Sequence, residues 1–196
     1  MNIDFILDIS CLWSCIAWRQ LQTALKECAE QPDITLFFIP TGSFFPGLEI
    51  GPADRARLLE SRVRPILEQT GLFVDFDHLP ELSGGLEAPC RLARAAFAQK
   101  KYIVLDELFS AFFSFGRDIS NPETIETIAR YHGLTLEKEN TASSALPTNI
   151  PEGLRAVPCL IFDRTTLIFG MQSVPCLKNM IRLAERLEKE NNNKKP

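Results

Sequence analysis

Cys11 and Cys15 stand four apart in the stretch DISCLWSCIAWRQL, Asp8 to Leu21, directly behind an apolar run. A thiol acts as a nucleophile only as its thiolate, so its chemistry depends on what stabilises that anion. The start of a helix does so, because unpaired backbone N–H groups and the positive end of the helix dipole meet there. Ser10 has the residue type of a helix cap, and Leu12, Ile16, Arg19, Leu21 and Leu25 follow it with a helical pattern that runs to near Gln31-Pro32. The spacing predicts Cys11 at the first helical position, with Ser14 able to donate a hydrogen bond to the sulfur and a thiol reactive at neutral pH. The alternative is an inert core residue, since free cysteines are among the most buried residue types. Both readings stand on the residues alone. A Cys11–Cys15 disulfide does not, because Cβ atoms about 5–6 Å apart on a helix exceed the roughly 3.8 Å such a bond spans. Cys15 is therefore expected to be structural.

Two other places carry chemistry. Val157-Pro158 precedes the apolar run CLIF, and a proline at the head of a strand offers the ladder no donor. It is read either as a trans proline opening an edge strand or as a cis proline facing a site. Gln172 and Ser173 precede a final helix, where Ser173 is a plausible cap and free N–H groups could hold a carboxylate. Arg117-Asp118 is expected to close a turn and cap the helix after it.

The elements needed to position these residues can be read from periodicity. Ile3–Ile9 and Ile34–Ile39 read as buried strands on either side of the first helix, a βαβ unit with parallel pairing. Thr41–Pro52 is expected to be a loop. Asp54–Thr70, Pro89–Lys100, Val104–Phe115 and Pro122–His132 then show helical spacing, with Asp75–Gly85 a polar connection. CLIF at 159–162 and TLIF at 166–169 make a hairpin around Asp163-Arg164-Thr165. Val174–Lys189 is the last helix. The fold class expected is α/β in the order βαβ, helical block, ββα: a sheet domain over 1–40 and 150–190, an inserted helical subdomain over 41–149, and a disordered tail over 191–196.

The chain has 196 residues, is 45% hydrophobic and 23% charged, and has a formal charge of −4. That balance is ordinary for a chain with ample core material and argues against a nucleic-acid footprint. The N-terminus MNIDFILDI lacks a cationic region and cleavage site, and no apolar run approaches the roughly 18 residues of a membrane span. A cytoplasmic address without membrane attachment is the expectation. There the six cysteines at 11, 15, 28, 90, 159 and 176 are expected as thiols. With no CxxC and only His78 and His132, no metal site is expected.

Taken together, these pieces resemble the DsbA-like thioredoxin superfamily, above all its cytoplasmic branch of kappa-class glutathione transferases, 2-hydroxychromene-2-carboxylate isomerases and FrnE-type oxidoreductases. SCLWSCIAWRQL resembles the transferase and isomerase pattern S-S-P-Y-S-Y-L-A and the FrnE pattern C-P-W-C-Y-I-G. GRDISNPETIETIARYHGL (116–134) is similar to the family's last inserted helix and its preceding turn. LRAVPCLIF and LIFGMQSVPCLKNM resemble the cis-proline strand and the G-S/Q-D-R helix start. The chain departs from the pattern at Leu12, where the family has proline, at Cys15, where it has an aromatic, and at Gly85-Leu86, where an Asn-Thr pair is usual.

The resemblance implies a nucleophilic or glutathione-contacting role for Cys11 and Ser14, and substrate or glutathione contacts at Ser10, Trp13, Val157, Pro158, Gln172 and Ser173. It implies a thioredoxin fold with an inserted helical subdomain. The leading expectation is a cytoplasmic monothiol thiol–disulfide oxidoreductase (Cys-Leu-Trp-Ser) forming a mixed disulfide on Cys11, with glutathione as co-substrate and resolving thiol. A kappa-type glutathione transferase or isomerase, in which the thiol replaces a serine, is the second. A non-catalytic thioredoxin-fold binding protein is the third. The expected partners are glutathione or another small-molecule or disulfide substrate, and a second copy in a homodimer.

Overall fold

The computed structural model describes residues 1–28, 31–39, 52–136 and 156–193. Strand β1, Asn2–Leu7, is buried along almost its whole length, which suits a central strand made of Ile, Phe and Leu. It pairs in parallel with β2, Asp33–Phe38, from Asn2↔Asp33 to Leu7↔Phe38, and between them the chain crosses over as helix α1, Leu12–Leu25. On its other edge β1 pairs antiparallel with β3, Cys159–Phe162, which turns into β4, Thr166–Phe169. The sheet order is β2-β1-β3-β4, and the chain then runs into the last helix. Helices α2 (Pro52–Thr70), α3 (Glu87–Ala98), α4 (Ile103–Phe113) and α5 (Pro122–Tyr131) lie between β2 and β3, and α6 (Val174–Asn193) follows β4. The order βαβ, helical block, ββα expected from periodicity is present.

Ile3, Phe5 and Leu7 face the main core with α1 and Leu177 and Ile181 of α6, while Ile6, Cys159 and Ile161 form a second cluster. This division follows from the alternation of side chains along strands. Trp18, 1% exposed, joins the sheet to the inserted helices: its ring stacks on Phe5 at 6.1 Å and meets Phe97 of α3 at 5.4 Å and Tyr102 before α4 at 6.4 Å. Arg94 of α3 lies over the Phe38 ring at 5.0 Å, which sets α3 against the far end of β2.

Several boundaries differ from the sequence expectation. Helix α1 stops at Leu25 rather than near Gln31-Pro32, because a turn with Cys28 N–H on the Leu25 carbonyl closes it and Gln31 Nε2 donates to the same oxygen. The polar connection 75–85 contains a short 3₁₀ turn, Phe76–His78. Asn121, not Asp118, caps α5, its side chain accepting from Glu123 N–H. Helix α6 continues to Asn193, past Lys189; of the loop expected over 41–52, Pro52 opens α2, and residues 41–51, like residues 194–196, lie outside the described residues.

Asp118 instead ties two loops together. Its carboxylate accepts from the N–H and hydroxyl of both Ser83 and Ser120, and the Ser120 hydroxyl accepts from Gly84 N–H. Burial opposes its charge, yet these donors bring its pKa down to about 2. Nearby Gly116 has φ +59°, and a Cβ there would stand 2.6 Å from the His78 carbonyl oxygen, so only glycine permits this approach.

Candidate functional site

The strand pairing gathers the candidates at one end of the sheet. Leu7 ends β1 and Phe38 ends β2 beside it. Cys159 begins β3 opposite Ile6, and Phe169 ends β4 opposite Cys159. The segments 8–14, 157–158 and 170–173 therefore all emerge at that end, although they are up to 165 residues apart in sequence. The Val157–Pro158 peptide bond is cis, and Gly170 N–H donates to the Pro158 carbonyl at 2.8 Å. Val157 is half-buried against Ile6, Cys159 and Ile161.

Cys11 occupies the N-cap of α1 rather than its first helical position, with extended backbone angles. Its carbonyl accepts from Ser14 N–H at 3.0 Å and Cys15 N–H at 3.1 Å. Ser10 does not cap the helix: its N–H and its hydroxyl both donate to Asp8 Oδ1, at 2.8 and 2.7 Å. The physical reason is local, since an Asp side chain readily captures the N–H two residues on, and that turn leaves Ser10 facing back along the chain. Asp8 is 3% exposed. Its carbonyl accepts from Cys11 N–H at 3.0 Å, and its own N–H donates to Ser14 Oγ at 3.3 Å. Asp8 is not among the candidate residues that residue types and spacing single out. The Asp-x-Ser spacing was the signal that could have found it.

Half-buried Cys11 does not have the lowered pKa expected of a helix-start thiol. Burial raises it most, the backbone N–H and hydroxyl of Ser14 pull against this, the Asp8 charge raises it further, and the Trp13 N–H lowers it; the balance is upward. As an N-cap, Cys11 presents its thiol to only a few oriented donors, and those do not offset the loss of water. Cys15, on α1 facing Arg19 and Asp106, is pushed to about 12 by burial, which accords with a structural thiol. Cys90 and Cys159 are likewise raised to about 12 by burial. Trp13 lies half-buried against the main core beside Cys11.

The start of α6 is less open than its sequence suggested. Ser173 Oγ accepts from Cys176 N–H at 3.4 Å, Pro175 has no N–H, and Gln172 Nε2 donates to the Phe169 carbonyl at 2.9 Å. Gln172 Oε1 receives the Cys176 thiol at 3.6 Å. Ser173 thus caps the helix, and most of what this terminus could offer a carboxylate is already engaged. Among the described residues, no group of three or more His, Cys, Asp or Glu could hold a metal ion, and no helix is long and apolar enough to cross a membrane.

The arrangement resembles several solved structures. A Streptomyces coelicolor protein described as a probable DsbA oxidoreductase matches with a TM-score of 0.70 at 15% identity, over 94% of this chain and 89% of that one. 2-Hydroxychromene-2-carboxylate isomerase matches with a TM-score of 0.59 at 14% identity over the full length of both chains. The cytosolic disulfide reductase DsbM of Pseudomonas aeruginosa, also solved with GSH, matches with a TM-score of 0.55 at 16% identity, over 98% of this chain and 99% of that one. At these identities the likeness is one of fold. No curated protein sequence matches the chain. Residues 2–182 match the model of the DSBA-like thioredoxin domain. The chain belongs to the DSBA-like thioredoxin domain family.

Proposed function

We propose that this protein is a monothiol thiol–disulfide oxidoreductase working through Cys11 and linked to glutathione. The observation that carries this reading is the meeting, at one end of the sheet, of the Cys11 thiol with the Ser14 and Trp13 donors and the Val157–Pro158 segment. Disulfide oxidoreductases among the structural neighbours support it, as does the DsbM structure with GSH.

In this reading Cys11 rests as a thiol and loses its proton as the substrate closes over it. The thiolate attacks one sulfur of a disulfide RS–SR′, forming Cys11–S–S–R and releasing R′S⁻, which takes up the proton. Ser14 and the two N–H groups stabilise the thiolate before attack and as leaving group afterwards. Cys15 does not resolve the adduct, because it cannot reach Cys11 without unwinding α1. A glutathione thiolate completes the cycle by attacking the R sulfur, giving RSSG and regenerating Cys11. The net exchange is RSSR′ plus glutathione to RSSG plus R′SH.

Ser10, Trp13, Val157, Pro158, Gln172 and Ser173 border the cleft in this reading. The thioredoxin-like part, 1–40 and 150–190, carries the thiol, and 41–149 walls the cleft; a cytoplasmic address and a homodimer belong to the same reading. Cys11→Ser is expected to abolish glutathione-dependent reduction of a small disulfide, and full activity in that variant would sink the proposal.

The raised Cys11 pKa and the isomerase among the neighbours favour a second reading, a kappa-type transferase or isomerase with the thiol as hydrogen-bond donor. It predicts saturable glutathione binding by calorimetry and no mixed disulfide. Trapping a Cys11–glutathione adduct by mass spectrometry would exclude it.

A further inference from the structure

Asp8 holds the thiol turn from three sides. Its carbonyl fixes Cys11 N–H, its carboxylate draws Ser10 back through both the N–H and the hydroxyl, and its N–H donates to Ser14 Oγ. The last contact matters for orientation. A serine hydroxyl has one proton and two lone pairs; Asp8 N–H engages a lone pair, which keeps the proton free for the hydrogen bond that the Ser14 side chain makes to Cys11. The carboxylate is itself 3% exposed, so its field reaches neighbouring groups with little screening from water.

We propose that Asp8 is the positioning residue of the Cys11 site, setting the Ser14 hydroxyl and the local charge against which the Cys11 anion must form. The inference rests on the thiol reading above and adds to it a residue outside that list. The charged and titratable groups facing this corner are Asp8 after β1, Cys15 on α1, and Cys90 on α3, the last accompanied by Arg94 and Glu87; the Asp8 charge acts on both Cys11 and Cys90. The proposed role is electrostatic as well as geometric, and the two parts separate on substitution. Asp8→Asn keeps a side-chain oxygen for Ser10 and the backbone bonds, but removes the charge.

The test is the pH profile of iodoacetamide alkylation at Cys11, followed by peptide mass spectrometry in native full-length protein. Asp8→Asn is expected to move the profile to lower pH and raise the rate at pH 7 roughly threefold to tenfold, since one unit of pKa is tenfold in thiolate population. An unchanged profile, or one moved to higher pH, overturns the inference while leaving the thiol reading in place. No native alkylation of Cys11 in either protein overturns both. Should Asp8→Asn fail to fold, the Asp8 carboxyl ¹³C shift in wild-type protein is followed across the pH range in which the alkylation profile shows Cys11 to ionise. A step coincident with Cys11 ionisation supports the role, and a flat signal overturns it.

Discussion

The chemistry of Cys11 turns on one buried hydroxyl. Ser14 is fully buried and serves two neighbours, accepting from Asp8 N–H and favouring the anion at Cys11. Ser14→Ala removes both functions. The orphaned Asp8 N–H should cost about 1–3 kcal/mol, read as a lower urea midpoint, and the Cys11 alkylation profile should move to higher pH. That is the opposite direction from Asp8→Asn, so the pair of variants distinguishes a lost donor from a lost charge. A Ser14→Ala protein with unchanged alkylation would show that the hydroxyl does not face the sulfur. The donor was legible in the sequence and the pKa was not. Residue types placed a thiol at a helix start with Ser14 able to donate to it, but the upward pKa shift arises from the amount of protein around Cys11 and from Asp8, and neither is a property of local spacing.

At the level of elements, a polar clasp adds to apolar packing in holding the loops that frame the inserted helices. Asp118 joins the 83–84 loop to the turn before α5. Its folded pKa lies below the usual carboxylate value of 3.8, so the clasp's stabilisation is present above that value and is lost as pH falls toward about 2. Amide-exchange protection at Ser83 and Gly84 should fall in Asp118→Asn at neutral pH, and wild-type protein should lose the same protection, relative to the intrinsic rate at each pH, only below pH 3. Equal exchange in the two proteins at neutral pH would show that the carboxylate does not secure the loop. The helices themselves were well marked by apolar spacing, and the hairpin strands coincide with the two four-residue runs. Their ends were less visible, because caps depend on which donor and acceptor meet: Ser10 turned toward Asp8, Asn121 displaced Asp118 as cap, and α1 closed early on Cys28 and Gln31.

For the whole molecule, the buried thiols should make stability fall at alkaline pH. Burial opposes the thiolate at Cys15, Cys90 and Cys159 and pushes each pKa from the usual 9.0 up to about 12 in the folded state. Above pH 9 the unfolded chain therefore binds fewer protons than the folded one, and stability falls as pH rises. Urea midpoints should hold steady from pH 7 to 8.5 and decline between pH 9 and 11. A Cys159→Ala variant should show a shallower decline, whatever its starting stability. A flat profile across that range would mean that these thiols ionise as readily in the folded state as in the unfolded one.

The sequence by itself determined the order of elements and the identity of the residues that could do chemistry, because hydrophobic period, turn chemistry and thiol position are local properties of the chain. Only the tertiary structure decided which of those residues share a site and in what state. Parallel pairing of β1 with β2 and antiparallel pairing with β3 bring segments 8–14, 157–158 and 170–173 to one sheet end. Burial of that end then sets the electrostatics, raising the Cys11 pKa that a helix start alone would have lowered, with the charge of a strand-end aspartate raising it further. Desolvation and through-space charge depend on every neighbour in three dimensions, and no spacing along the chain encodes them.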